Sequence, residues 1–249
     1  MVGLVVAALA VSGCQRGEDD ELTARPTRTV TVTSTPTPSA PDRVPLGDAD
    51  WDAGEVVWAQ GSDLHVGDRT IDLAPVAVEQ VVATPRGAYV LARGELWSVD
   101  ERRAEGTRLP QVERVGVSRD GRSLLVDLAG GGPRRAYDLV TGRLRDGRAP
   151  AALTTAEQRR GPGEYAVRQA ADGAAEVTTA EDVRVRVAGL PERFTPEVWP
   201  TPATVVGVAT AADGSTVVRC RLDGAARCTT LGGVTDDREV VFAVAALPG

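Results

Sequence analysis

Beyond residue 50 the apolar residues come in short runs of three to five, each closed by Gly, Asp or Pro, and no stretch of ten or more keeps a helical period. Five of these runs are Val56-Val57-Trp58-Ala59, Tyr89-Val90-Leu91-Ala92, Ser123-Leu124-Leu125-Val126, Tyr165-Ala166-Val167 and Val205-Val206-Gly207-Val208, recurring about every 32 to 41 residues. A second run follows each of them: Leu64-His65-Val66, Leu96-Trp97-Ser98-Val99, Ala136-Tyr137-Asp138-Leu139, Glu176-Val177-Thr178 and Val218-Arg219-Cys220-Arg221-Leu222. Strand pairs repeated at this interval predict an all-β chain of blade-like units, each supplying four strands in about 40 to 45 residues. Residues 46–249 hold five such units of about 41 residues. The first unit reads as three strands within 55–73, and a lone strand from Arg238 to Leu247 is expected to complete it. Residues 151–163 fit a short helix and loop as well as a strand, and a helix there would leave the ring four-bladed or irregular.

The third unit has the clearest form. Val117-Ser118-Arg119-Asp120-Gly121-Arg122-Ser123-Leu124-Leu125-Val126 leads to Ala136-Tyr137-Asp138-Leu139-Val140-Thr141-Gly142-Arg143. Asp120-Gly121 and Thr141-Gly142 supply two tight turns between strands. Thr84-Pro85-Arg86-Gly87 is a weaker copy of the former, and Cys220-Arg221-Leu222-Asp223-Gly224 copies the latter. This pattern resembles the blade of WD40-like and TolB-like β-propellers. The resemblance implies a propeller of five four-stranded blades over 46–249, the first closed by the C-terminal strand.

The N-terminus is different. Val2 to Val11 is apolar apart from Gly3, no charge occurs before Arg16, and the run ends in Val11-Ser12-Gly13-Cys14. It is shorter than the roughly 20 residues a spanning helix needs. The string resembles a bacterial lipoprotein signal, which implies removal of residues 1–13, acylation of Cys14, and a domain held at the outer face of a cell membrane. Such signals begin with basic residues, and their absence here predicts a translation start upstream of Met1. Residues 14–45 are rich in Thr and Pro and offer little to bury, so a disordered linker is expected.

Composition narrows the partners. The net charge is −7, and all 28 basic residues are arginine, a bias that points to a high-GC genome; together with the lipoprotein resemblance it implies a Gram-positive source. Nucleic acid is therefore not expected as a partner. The arginine pairs at 102–103, 134–135 and 159–160 read as solvated loop charge. With Cys14 acylated, Cys220 and Cys228 remain. A three-residue loop at 223–225 would place them directly opposite each other on antiparallel strands, where Cβ atoms lie about 4.5–5.5 Å apart. A disulfide is favoured over a metal pair or free thiols, since His65 is the one histidine and further ligands are lacking.

Chemistry has few candidates. His65 alternates with Leu64 and Val66 and reads as a packing residue. Glu79, Glu113 and Asp127 could supply an acid and base for sugar cleavage, although aromatics to hold a sugar make up only 4%. Asp48, Asp50 and Asp52 alternate but lack the glycine and distal glutamate of a calcium loop. No catalytic, metal or cofactor residue is assigned. The expected function is a non-enzymatic binding or scaffolding module of the cell envelope, anchored in membrane lipid through Cys14 and engaging an envelope protein. The alternative is a carbohydrate-active hydrolase or lyase working through paired carboxylates.

Overall fold

The computed structural model describes residues 27–29, 32–33, 41–51, 55–107, 109, 111–235 and 239–245. Cys14 and the 1–13 segment lie outside them. In chain order, β1 (Thr27–Thr29) and β2 (Val32–Thr33) are followed by β3 (Val57–Gln60), β4 (Asp63–Val66) and β5 (Arg69–Asp72). Next come β6 (Gln80–Thr84), β7 (Gly87–Ala92), β8 (Glu95–Val99) and β9 (Ala104–Gly106), then β10 (Val112–Val117), β11 (Ser123–Leu128) and β12 (Arg135–Asp138). Helix α1 (Thr155–Arg160) precedes β13 (Tyr165–Gln169), β14 (Ala175–Thr179) and β15 (Arg184–Val185). The last six strands are β16 (Phe194–Thr201), β17 (Thr204–Ala211), β18 (Gly214–Arg221), β19 (Arg227–Val234), β20 (Val240–Phe242) and β21 (Val244–Ala245).

The strands form five sheets. The first runs β1-β5-β4-β3-β20, the second β2-β9-β8-β7-β6-β21, the third β10-β11-β12, the fourth β13-β14-β15 and the fifth β16-β17-β18-β19. The chain is all-β with little helix, as the repeat implies. Uniform four-stranded units are not what forms, because only the fifth sheet among the described residues has four strands. Terminal segments widen the first two, while the third and fourth are narrowed.

Side-chain alternation explains the packing. Successive residues of a strand point to opposite faces, and in β7 Ala88 and Val90 join a core with the first sheet while Tyr89 and Leu91 join one with the third. All six residues of β7 are buried. The fifth sheet divides likewise: Val205 and Val218 pack with the fourth, Val206 and Val217 with Val56 and Trp58 of the first. Between the third and fourth sheets no buried apolar cluster forms among the described residues. Helix α1 packs instead against β16 of the fifth sheet.

The expected closure of the first sheet is present. Val241 pairs with Ala59 and Phe242 with Trp58, antiparallel. The chain then crosses to the second sheet, where Val244 and Ala245 pair in parallel with Val82 and Ala83.

The expected disordered linker needs correction at three places. β1 adds a parallel strand to the outer edge of the first sheet at β5, and β2 does the same for the second at β9. Arg43 then bridges to Arg143 beyond β12 of the third. Just before the expected boundary at 46, Val44 is 1% exposed. Its N–H donates to the Gly142 carbonyl at 2.9 Å, and the Tyr137 and Tyr89 hydroxyls donate to the carbonyls of Pro41 and Pro45. Gly142 has φ 69°, and a Cβ there would sit 2.5 Å from the Val44 carbonyl oxygen. The Thr-Gly turn thus shapes both a hairpin and the seat of this strap. Open sheet edges supplied the bonding partners that composition alone does not reveal.

Candidate functional site

The inner strands converge on a cavity of about 590 Å³. Gln80 and Val81 of β6, Arg114 and Val115 of β10, and Leu125 and Asp127 of β11 form part of its wall. Val241, Phe242 and Val244 of the C-terminal crossing form another part, and Thr154, Thr155 and Gln158 of α1 complete it. The Gln80 side-chain carbonyl accepts the Val115 N–H at 2.8 Å, which ties β6 to β10.

One acid in this wall is neutralised. Arg134 grips Asp127 with two parallel hydrogen bonds, Nε to Oδ1 at 2.7 Å and Nη2 to Oδ2 at 2.8 Å. The Arg134 hydrogen bond and charge hold the Asp127 carboxyl below the usual carboxylate range, with Arg114 adding to the effect. A bidentate pair of this kind fixes orientation as well as charge. The cavity is therefore an apolar chamber with amide and hydroxyl groups and the Arg114 guanidinium at its wall.

Helix α1 settles residues 151–163, which fitted a strand and a short helix equally, in favour of the helix. Its signal is a capping box: the Thr154 hydroxyl accepts the Glu157 N–H at 3.2 Å, and Glu157 accepts the Thr154 N–H at 2.9 Å. Those two bonds satisfy end groups that a six-residue helix cannot satisfy internally. The backbone and hydroxyl of Thr154, then Arg119 at 2.6 Å, hold the Glu157 carboxyl below its ordinary range. On the other side, the Trp199 indole donates to the Arg159 carbonyl at 3.0 Å and Arg159 pairs with Glu197. The helix is thus pinned between the turn that follows β10 and strand β16.

Gly161 ends α1 with φ 70° and ψ −175°, a region essentially restricted to glycine. A Cβ there would lie 2.6 Å from the Trp199 ring. Gly161→Ala is expected to destabilise the protein by about 2–3 kcal/mol. Thermal denaturation followed by circular dichroism reads this as a lower Tm, and an unchanged melt would show that Trp199 yields freely.

The other candidates disperse. Cys220 and Cys228 form a disulfide, opposed across β18 and β19 in the register expected from the 223–225 turn. The Cys228 N–H turns outward to the Ala188 carbonyl, so the pair is of the non-hydrogen-bonded kind in which Cβ atoms come closest. His65 stacks on Trp58 with centroids 3.8 Å apart, and its Nδ1 lies 3.1 Å from the Thr70 hydroxyl. Glu79 accepts the Arg93 N–H, and Glu113 is exposed on β10. Asp48 pairs with Arg103 and Arg86, Asp50 is exposed, and Asp52 lies outside the described residues. Among the described residues no three His, Cys, Asp or Glu side chains cluster as metal ligands. Each arginine pair read as loop charge contains an engaged member: Arg103 at Asp100, Arg134 at Asp127, Arg159 at Glu197.

No family model and no curated protein matches this chain. Among solved structures it is similar to a protein of Agrobacterium tumefaciens provisionally named TolB, at 15% identity and a TM-score of 0.26. The match covers 74% of this chain and 70% of that one.

Proposed function

We propose that this protein is an extracytoplasmic binding module of β-propeller architecture, held at the outer face of a membrane through acylated Cys14, whose cavity mouth receives an envelope partner. The observation that carries the binding role is the cavity itself. Its one acid is engaged by Arg134, and apolar side chains are interleaved in the rest of the wall with amides, hydroxyls and the Arg114 guanidinium. Such a lining suits recognition, in which few polar groups fix orientation and apolar area supplies affinity. The Cys220–Cys228 disulfide supports an oxidising compartment.

The test uses the native host. Wild-type chain should take up labelled palmitate and stay with membranes, whereas Cys14→Ala should lose both the label and the membrane fraction. Retention of either by the variant overturns the anchor. A photo-crosslinking residue at Gln158 should then trap a protein that one at exposed Val183 does not. Equal yields at the two positions overturn the cavity as the binding site.

A further inference from the structure

The two faces of the fifth sheet have different neighbours. Val205, Val218 and Cys220 pack toward the fourth sheet, whereas Val198, Val206, Val217 and Leu231 meet Val56 and Trp58 of the first. Directly opposed residues of a ladder share a face, so the second face can be followed row by row. Val198, Val206, Arg219 and Thr229 form one row, and Thr201, Thr204, Arg221 and Arg227 form the next. The apolar contact with the first sheet therefore gives way to a band of hydroxyls and guanidiniums that crosses all four strands. The turns after β16 and after β18 bound this band at one end of the sheet.

The band is the floor of a groove of about 400 Å³ that shares no lining residue with the cavity at α1. Arg219, Arg221 and Arg227 line it with a single acid, Asp223, a local surplus of cations on a chain of net charge −7. Arg221 stands directly opposite Arg227 in the ladder, and like charges so placed destabilise a sheet. Asp223 relieves one of them by accepting from Arg221 Nε at 2.6 Å. Arg219 and Arg227 make no ion pair among the described residues. They lie diagonally across the ladder in the same groove, where two long side chains can close on one small group.

We infer that this groove binds a doubly charged phosphate group, the head of a phosphate monoester. Such a group carries a charge of about −1.5 to −2 at pH 7 and three acceptor oxygens. Two guanidiniums without a carboxylate match that charge, and their planar forks suit phosphate oxygens. A single carboxylate would neutralise one of them and leave the other. The hydroxyl of Thr204, directly opposite Arg221, and that of Thr201 beside it supply further donors to the phosphate oxygens. The anion thus compensates the arginines that Asp223 does not reach.

Equilibrium dialysis of labelled inorganic phosphate against the full-length, unacylated protein tests this. Replacing both Arg219→Gln and Arg227→Gln should weaken binding by about tenfold or more, and wild-type affinity should fall below about pH 6 as phosphate loses its second charge. The double variant removes like-charge crowding and should melt no lower than wild type, while Arg148→Gln, at an exposed arginine elsewhere, should bind as wild type does. Flotation with phosphatidylcholine vesicles separates the sources of the group. Vesicles holding phosphatidic acid, a monoester, that lift wild type but not the double variant assign the phosphate to a lipid headgroup, and dialysis binding without flotation assigns it to a soluble ester. Wild type and double variant behaving alike in both assays overturns the proposal. Equal flotation with phosphatidylglycerol, a singly charged diester, shows that the groove reads charge density alone and also overturns it.

Discussion

A chain shortened to end at residue 238 is expected to melt about 10–20 °C below the full chain, or to lose its cooperative transition. Three losses add together. The first sheet loses β20, leaving β3 as an edge whose Trp58 and Val57 were buried by the fifth and second sheets and by the C-terminal segment. The second sheet loses the parallel pairing of β21 to Val82 and Ala83. Val240, Val241, Phe242, Ala243 and Val244 also stop covering apolar neighbours. At roughly 1.5–3 kcal/mol for each fully buried side chain, partial burial of five brings the loss to about 5 kcal/mol, comparable with the whole stability of many domains. For a domain of this size about 1 kcal/mol shifts Tm by roughly 2–4 °C. Differential scanning calorimetry is the measurement, and a truncated chain melting within a few degrees of the parent would show that the last strand is ornamental.

The second large effect is expected at Asp100. Its carboxylate, 2% exposed, accepts N–H groups of Arg102 at 2.7 Å, Arg103 at 2.9 Å and Asp48 at 3.0 Å, with the Arg103 Nε at 3.5 Å. The same group therefore closes the turn after β8 and fastens the strap to it. Asp100→Ala leaves three backbone donors without their acceptor, at a cost of about 3–5 kcal/mol, while the half-exposed Arg103 keeps Asp48. Asp100→Asn keeps an acceptor oxygen and should lose less. Burial pushes the Asp100 pKa up, yet the three backbone donors and Arg103 outweigh it and hold it below the ordinary value. A carboxyl depressed in the folded state contributes stability that is complete above its unfolded pKa, about 3.9, and is lost as pH falls toward the folded value. Asp120, Asp127 and Asp138 are depressed as well, chiefly by hydrogen bonds to Ser118, Arg134 and the Thr141 backbone. Urea denaturation should show stability level from pH 7 to about 5 and falling below pH 4, with a shallower fall for Asp100→Asn.

Much of the fold was legible because its signals are local. Alternation and turns at Asp120-Gly121 and Thr141-Gly142 located the strands, and an Asp-Gly turn midway between two cysteines located the disulfide and its register. Closure by Val241 and Phe242 could be inferred because a three-stranded unit and an orphan strand stood at opposite ends. The strap was not legible, since Thr27–Thr29 and Val32–Thr33 owe their strand form to edges made by residues 69–72 and 104–106, a context no window of sequence contains. The Thr154-x-x-Glu157 capping box was the visible sign of α1, and it decides between helix and strand at 151–163. For the cavity no signal existed. Gln80, Arg114, Arg134 and Gln158 are ordinary surface residue types, and only the meeting of β6, β10, β11 and α1 gives them a common space.

The pairing of Val241 with Ala59 also fixes an order of events. Partners about 180 residues apart can meet only after all of the chain between them has been delivered. If it is released N-terminus first, Trp58 and its neighbours wait without their final cover until Val240–Phe242 arrive. Contacts of such long sequence separation slow folding, and the wait lengthens the exposure of a bare β3 edge to other chains. A folding path that waits for Val241 and Phe242 makes β20 the latch of the first sheet.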